Sequence, residues 1–373
     1  MIRTMRHWRS LDGLRAFAVL TVVAYHLDAS RIRGGALGVD IFFVLSGFLI
    51  TGLLIREWEA HAGSVSFSAF YIRRALRLLP AFYAVLIFSA ILAGTIAPSR
   101  EVTPTLSNLP WVFFYLGNLR ASLGHSELGL LNPTWSLAQE EQFYLVWPVI
   151  CVLILSRTRR RLMPAIALIL VALGEMIYRV ALVRHGASLI PRVQYGPDTR
   201  SDGLLIGCAL AFALSGGGRF AQVCAKLPHK SVAAVGVTCG VVVAALSVVA
   251  PMNRPAGVEF AIPIAVVATG ALVWSLVTAP IGPLHWLLGT TPAVWLGRRS
   301  YGLYLWHFPI ILGIPLAGLH HAARLPIHLG LSIGAAALSY RFIEMPFLRR
   351  KQRWQTDLQP ANRTPAIPEA ATP

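Results

Sequence analysis

Long apolar runs limit what this chain can become. From Gly38 to Ile55 the only charged side chain is Asp40, and Val232–Ala250 and Phe260–Ala279 carry none. A helix needs about 20 mainly apolar residues to cross a bilayer, where no water satisfies a loose backbone amide. Read on that basis, the sequence predicts an all-α membrane protein of about ten transmembrane helices. They cover roughly 11–28, 38–55, 79–97, 137–155, 163–183, 202–215, 232–250, 260–279, 294–316 and 327–343. The 202–215 segment is the shortest, and Leu109–Leu119 is too short to cross and suits the interface, helped by Trp111 and Tyr115. Composition agrees, since 55% of residues are hydrophobic and 13% charged, against about 25% charged in soluble domains.

The net charge of +17 would suggest a nucleic-acid partner in a soluble protein. Here the basic residues gather in alternate loops. Arg3, Arg6 and Arg9 share one side with Arg56, Arg73, Arg74 and Arg77, with Arg157 to Arg161, and with Arg349 to Arg353. Basic loops stay cytoplasmic, so both termini are expected inside, and nucleic acid drops out as a partner. The integral domain is expected over 1–350, and the Pro-, Ala- and Thr-rich tail over 351–373 as disordered. Asp12 and Arg15 interrupt the first apolar run and no clear cleavage site follows, so it reads as a retained span. Cys151, Cys208, Cys224 and Cys239 have no metal-binding spacing, and no metal is expected.

Ionisable groups inside spans are costly and point to function. Arg15 and His26 lie eleven residues apart on the first span, about three turns or 16 Å, which puts them on one face. Asp40 opens the second span near His26, where a carboxylate could hold one imidazole nitrogen and leave the other as a base. Ser46 and Gly47 suit close helix packing. Arg74 and Arg77 share a helix face before Pro80, which fits a break or a helix start. Two guanidiniums so placed could clamp phosphate, although positive-inside charge alone also explains them. Glu140 and Glu141 open the fourth span, Asp198, Arg200 and Asp202 precede the sixth, and His307 lies within the ninth. A structural ion-pair cluster is the alternative for the outer charges.

In order along the chain stand Leu11-Asp-Gly-Leu-Arg15, Tyr25-His26, Gly38-Val-Asp-Ile-Phe-Phe43 with Ser46-Gly-Phe48, and Arg74-x-x-Arg77 before Pro80. Then come Trp135-Ser-Leu with Glu140 and Gln142-Phe-Tyr, Asp198-Thr-Arg-x-Asp202, Tyr304-Leu-Trp-His307 and Ile343-Glu344-x-Pro346. Over about residues 8–347 these blocks resemble the acyltransferase 3 family of bacterial membrane acyltransferases. Met345 departs from the basic residue often found there, and after the final span a disordered tail is expected rather than the hydrolase-like domain that some members carry. The resemblance implies a bacterial inner-membrane O-acyltransferase with a ten-helix fold. Its donor would be cytoplasmic acyl-CoA, often acetyl-CoA. Its acceptor would be an envelope glycan, a glycolipid or a small molecule, with a separate periplasmic partner as one route for completing transfer. By matching position, Arg15, His26, Arg74 and Arg77 would be tied to activity.

On this expectation Arg15, Arg74 and Arg77 hold the CoA phosphates, and His26, oriented by Asp40 or Glu140, deprotonates the acceptor hydroxyl. An acyl-His intermediate is the alternative chemistry. The rival function is a transporter or flippase of a lipid or small anionic substrate, because intramembrane charges also line translocation paths. No internal repeat supports that rival.

Overall fold

The computed structural model describes residues 8–124, 127–186, 190–215, 219–252, 254–316 and 318–356. Among them every regular element is helical. In chain order these are α1 (Arg9–Leu27), α2 (Gly38–Ala60), α3 (Phe67–Thr95), α4 (Ser99–Phe113), α5 (Gly117–Ser122) and α6 (Thr134–Arg157). Then follow α7 (Leu162–His185), α8 (Ile190–Tyr195), α9 (Asp202–Leu214), α10 (Arg219–Lys226), α11 (His229–Val249) and α12 (Ile262–Thr278). The last are α13 (Pro283–Leu288), α14 (Thr291–Arg298), α15 (Ser300–Gly313), α16 (His321–Ser339) and α17 (Met345–Thr356). Single π turns, Gly257–Ala261 and Tyr340–Glu344, lead into α12 and α17.

Seven helices are long and apolar enough to cross a membrane: α1, α2, α3, α6, α7, α11 and α12, with α9 a shorter apolar helix. Their outward faces are apolar. Leu145, Val146, Val149, Ile150 and Leu153 stand exposed on α6, and Leu170, Val171 and Ile177 on α7. Such bands would be a liability in water and cost nothing against lipid.

The most enclosed long helix is α2, which packs against α1, α6, α9 and α12. In lipid no hydrophobic effect drives helices together, so close packing must do it, and small residues permit the approach. Gly47 of α2 lies against the Leu204 carbonyl of α9, and Gly207 of α9 against the Val44 carbonyl of α2; a Cβ at either would overlap backbone. Gly13 of α1 and Gly297 of α14 make the same kind of approach, to the Leu288 and Asp12 carbonyls. These contacts fix α1, α2 and α9, which carry Arg15, His26, Asp40 and Asp202.

Four expectations change. Pro80 neither breaks nor starts a helix: α3 runs 29 residues with the proline inside it, about 43 Å and so longer than the bilayer core. The helix starts early because Ser66 caps it, accepting from the Ala69 N–H, while the Ser66 N–H donates to Glu57. The early start carries Arg73, Arg74 and Arg77 into the helix, against the other spans. The expected interfacial piece at Leu109–Leu119 is the end of α4, which begins at Ser99, followed by α5. The single span expected over 294–316 is two helices, α14 and α15, joined where Arg299 leaves helical geometry (φ −104°, ψ 3°). Helix α17 extends to Thr356, into the segment expected to be disordered, while 357–373 lies outside the described residues.

Two glycine substitutions should separate packing from propensity. Gly207→Val should destabilise by about 1–3 kcal/mol, as overpacking does. Gly52→Ala, on the partner helix α2 but with nothing within 4 Å of its would-be Cβ, should be neutral or stabilising by up to about 1 kcal/mol. Thermal unfolding in detergent, read by helical circular dichroism, checks both.

Candidate active site

A cavity of about 650 Å³ opens between α1, α2, α3, α6 and α15. Five arginines line it (Arg15, Arg56, Arg73, Arg74 and Arg77) with only two carboxylates, Glu57 and Glu140. Phe42, Phe43, Tyr144, Tyr301 and Tyr304 supply apolar and aromatic wall, and Ser136 a hydroxyl. It joins groups expected at opposite membrane ends, Arg74 and Arg77 of α3 with Glu140 of α6.

These arginines differ in what holds them. Arg73 Nη2 donates to Glu57 Oε2 at 2.9 Å, tying α3 to the end of α2. Arg74 lies 3.4 Å from Glu141 Oε1, with its guanidinium carbon 3.2 Å from the centre of the Tyr144 ring, a cation–π contact. Glu140 accepts from Ser46 Oγ at 2.8 Å. Arg15 and Arg77 are another matter: both line the cavity, and among the described residues neither makes a hydrogen bond or ion pair with the chain. Their charges repel one another, and Glu344 acts on Arg77 only from beyond ion-pair distance. Two guanidiniums with no such partner, facing one half-open space, have the chemistry to hold an anion.

His26 sits at the far end of α1 from Arg15. Its Nδ1 is 3.0 Å from His307 Nε2. The other nitrogen of His307, Nδ1, faces the carbonyls of Tyr304 at 2.6 Å and Leu303 at 3.2 Å. His307 is wholly buried and His26 partly so, with Phe308 edge-on to His26 at 4.8 Å between ring centres. Tyr304 connects the two regions. Its carbonyl holds His307, while its hydroxyl lines the cavity, donating to the Pro133 carbonyl at 2.9 Å and lying 2.6 Å from Ser136 Oγ.

The carboxylates expected to orient His26 are engaged elsewhere. Asp40 pairs with Arg200 at 3.0 Å, both buried, and Arg200 also faces the Trp135 ring, 5.5 Å from its centre. Asp202 pairs with Arg179 at 2.8 Å, wholly buried, and Arg179 donates a second bond to the Thr199 carbonyl at 2.8 Å. Glu175 of α7 accepts from the Ser201 N–H. Asp40, Arg200 and Asp202 thus belong to a buried ion-pair cluster joining α2, α7 and α9, the structural alternative weighed for them. Asp198 lies apart, half-exposed, where the Arg192 guanidinium beside it holds its carboxyl below the usual range.

Arg15, Arg74, Arg77 and Glu140, singled out in the sequence, all line the cavity, whereas Arg73, Glu57, Tyr301 and Tyr304 were not expected as cavity groups, nor Glu175 and Arg179 as partners of the ion cluster. The last two carried a usable signal, being charges within the apolar run of α7.

A family profile described as an acyltransferase domain matches residues 8–342. The chain belongs to the acyltransferase 3 family. It is 36% identical over 370 residues to peptidoglycan O-acetyltransferase OatA of Listeria monocytogenes, covering 93% of this chain and 57% of that protein. It is 35% identical over 388 residues to "Putative peptidoglycan O-acetyltransferase YrhL" of Bacillus subtilis, covering 94% and 58%. A "Putative O-acetyltransferase" of Staphylococcus aureus is 32% identical over 367 residues, covering 92% and 58%. The chain thus spans somewhat over half the length of these relatives. No solved structure matches it.

The buried cluster should behave as a unit. Asp202→Ala should cost about 3–5 kcal/mol by stranding Arg179, whereas Arg179→Met with Asp202→Leu should recover most of that loss. Unfolding midpoints of the two variants in detergent check this.

Proposed function

We propose that this is a multi-pass O-acetyltransferase of the bacterial cytoplasmic membrane. It would move an acetyl group from cytoplasmic acetyl-CoA to a hydroxyl of an envelope glycan, with peptidoglycan the leading acceptor. The observation that carries the donor assignment is the pair of unpaired guanidiniums, Arg15 and Arg77, in a half-open, partly aromatic cavity. A nucleotide thioester has the matching chemistry: phosphates at one end, and a thin, mostly apolar arm ending in the reactive group. The peptidoglycan assignment rests on the names of the relatives.

Orientation follows the basic loops, with both termini inside and about ten passes, if α9, the α14–α15 corner and α16 complete the crossing. The cavity would then admit the donor from the cytoplasm. Arg15 and Arg77 bind its phosphates. Arg74 lends positive charge, held in place by Glu141, and Glu140 balances the excess. The thioester end reaches past Tyr304 towards His26. His26 takes the proton from the acceptor hydroxyl as its oxygen attacks the thioester carbonyl. The C–S bond breaks, and the proton leaves on the departing thiolate, giving the acetyl ester and free CoA.

Asp40 leaves the catalytic group in this reading. It serves instead, with Arg200, to fix α2 against the segment before α9.

Purified protein in lipid nanodiscs tests the assignment. Arg15→Ala and Arg77→Ala should each weaken acetyl-CoA binding about 10- to 100-fold, as expected for a lost charge-assisted contact. His26→Ala should bind acetyl-CoA like the wild type and form no acetylated product by mass spectrometry. A fully active His26→Ala protein would remove His26 from the mechanism.

A further inference from the structure

The proposed reaction needs one nitrogen of His26 bare and facing substrate. Which nitrogen is bare depends on what the other one is bonded to. In most such sites a carboxylate takes the second nitrogen. Here the partner is a second imidazole, and that partner is itself fixed.

His307 Nδ1 faces two carbonyl oxygens, of Tyr304 at 2.6 Å and Leu303 at 3.2 Å. A carbonyl only accepts, so Nδ1 must carry the hydrogen. In a neutral imidazole the other nitrogen is then an acceptor. That nitrogen, Nε2, lies 3.0 Å from His26 Nδ1. His26 Nδ1 must therefore donate. By elimination His26 Nε2 holds the free lone pair. The polarity of the whole chain is set by backbone carbonyls of α15, and no hydroxyl rotor or amide flip enters it.

We infer that His307 is the positioning residue of the proposed acetyl transfer, locking His26 in the tautomer whose Nε2 is the base. The inference rests on the proposed function for its catalytic meaning, although the tautomer itself does not. It has a second consequence. Asp40 and Asp202 are paired with Arg200 and Arg179, Glu140 accepts from Ser46, and Glu141 and Glu344 act on Arg74 and Arg77. No carboxylate is bonded to either ring and His307 is wholly buried, which is why the histidine pair is taken as neutral at rest. A neutral pair inside the protein is a poor store for a proton, because nothing adjacent balances an imidazolium. The proton that Nε2 takes from the acceptor hydroxyl must leave at once, and the departing thiolate is the group in the reaction that takes it. A carboxylate in place of His307 would hold that proton back.

The test uses the whole protein in nanodiscs, with acetyl-CoA as donor and a soluble N-acetylglucosamine oligomer as acceptor. His307→Leu keeps the volume and removes the acceptor for His26 Nδ1. Its kcat should fall by about 10²- to 10⁴-fold, the usual worth of a positioned base, with acetyl-CoA affinity unchanged. His307→Gln keeps both functions, an oxygen towards His26 and an N–H towards Tyr304, and should recover to within about tenfold of wild type. Three results would overturn the inference: wild-type kcat in the leucine variant, loss of acetyl-CoA binding in both variants, or a glutamine variant as inactive as leucine while still binding donor. The last would mean that the imidazole of His307 reacts rather than positions.

A second readout does not depend on turnover. In ¹⁵N-histidine-labelled protein, the ring signals lost on His26→Ala should report a bare Nε2 in the wild type and a mixture of both tautomers in His307→Leu. A protonated Nε2 in the wild type contradicts the inference directly. If the wild type forms no product from acetyl-CoA while the tautomer is as stated, the proposed function fails and the positioning geometry stands.

Discussion

A guanidinium among packed transmembrane helices must find a carboxylate, a ring face or a ligand, because the free energy of leaving it unpaired is too high. That constraint sorts the arginines of this protein. Arg73, Arg179 and Arg200 face Glu57, Asp202 and Asp40, and Arg74 lies between Glu141 and Tyr144. These pairs fasten α2, α3, α6, α7 and α9 to one another. Arg56 donates to the Gly52 carbonyl one turn back, and Arg15 and Arg77 face the same cavity with no hydrogen bond or ion pair among the described residues. The paired charges build the wall, and in the proposed function the unpaired ones receive an anion that arrives from outside.

Most of the fold could be read because membrane helices are encoded locally. Apolar run length located α1, α2, α6, α7, α11 and α12 to within a few residues. It failed where helices are longer or shorter than the bilayer. At α3 the proline was overread, because capping by Ser66 and packing against α15, where the Tyr301 hydroxyl donates to the Leu78 carbonyl at 2.8 Å, hold the helix across it. At Arg299 an apolar stretch hid a corner.

The site was legible only in part. Arg15 and His26 stood out because charge inside an apolar run is rare, and Arg74 and Arg77 as two guanidiniums on one helix face. Their partners did not, since pairing is a long-range property. His26 and His307 are 281 residues apart in sequence, and Ser46 and Glu140 are 94. Proximity in sequence suggested Asp40 as the partner of His26, but Asp40 meets Arg200 instead and His26 meets an imidazole. That exchange changes the chemistry. A histidine backed by a carboxylate can keep a proton, whereas one backed by a neutral ring must pass it on, which suits a reaction whose leaving thiolate needs it.

The account stands or falls on how a CoA thioester would lie in the cavity. A cryo-electron microscopy structure of the protein with CoA measures this directly. The account predicts phosphate oxygens within hydrogen-bonding distance of Arg15 and Arg77, and the sulfur on the Tyr304 side, directed towards His26 Nε2. Phosphates bound away from both arginines, or a sulfur pointing out of the cavity, would contradict it.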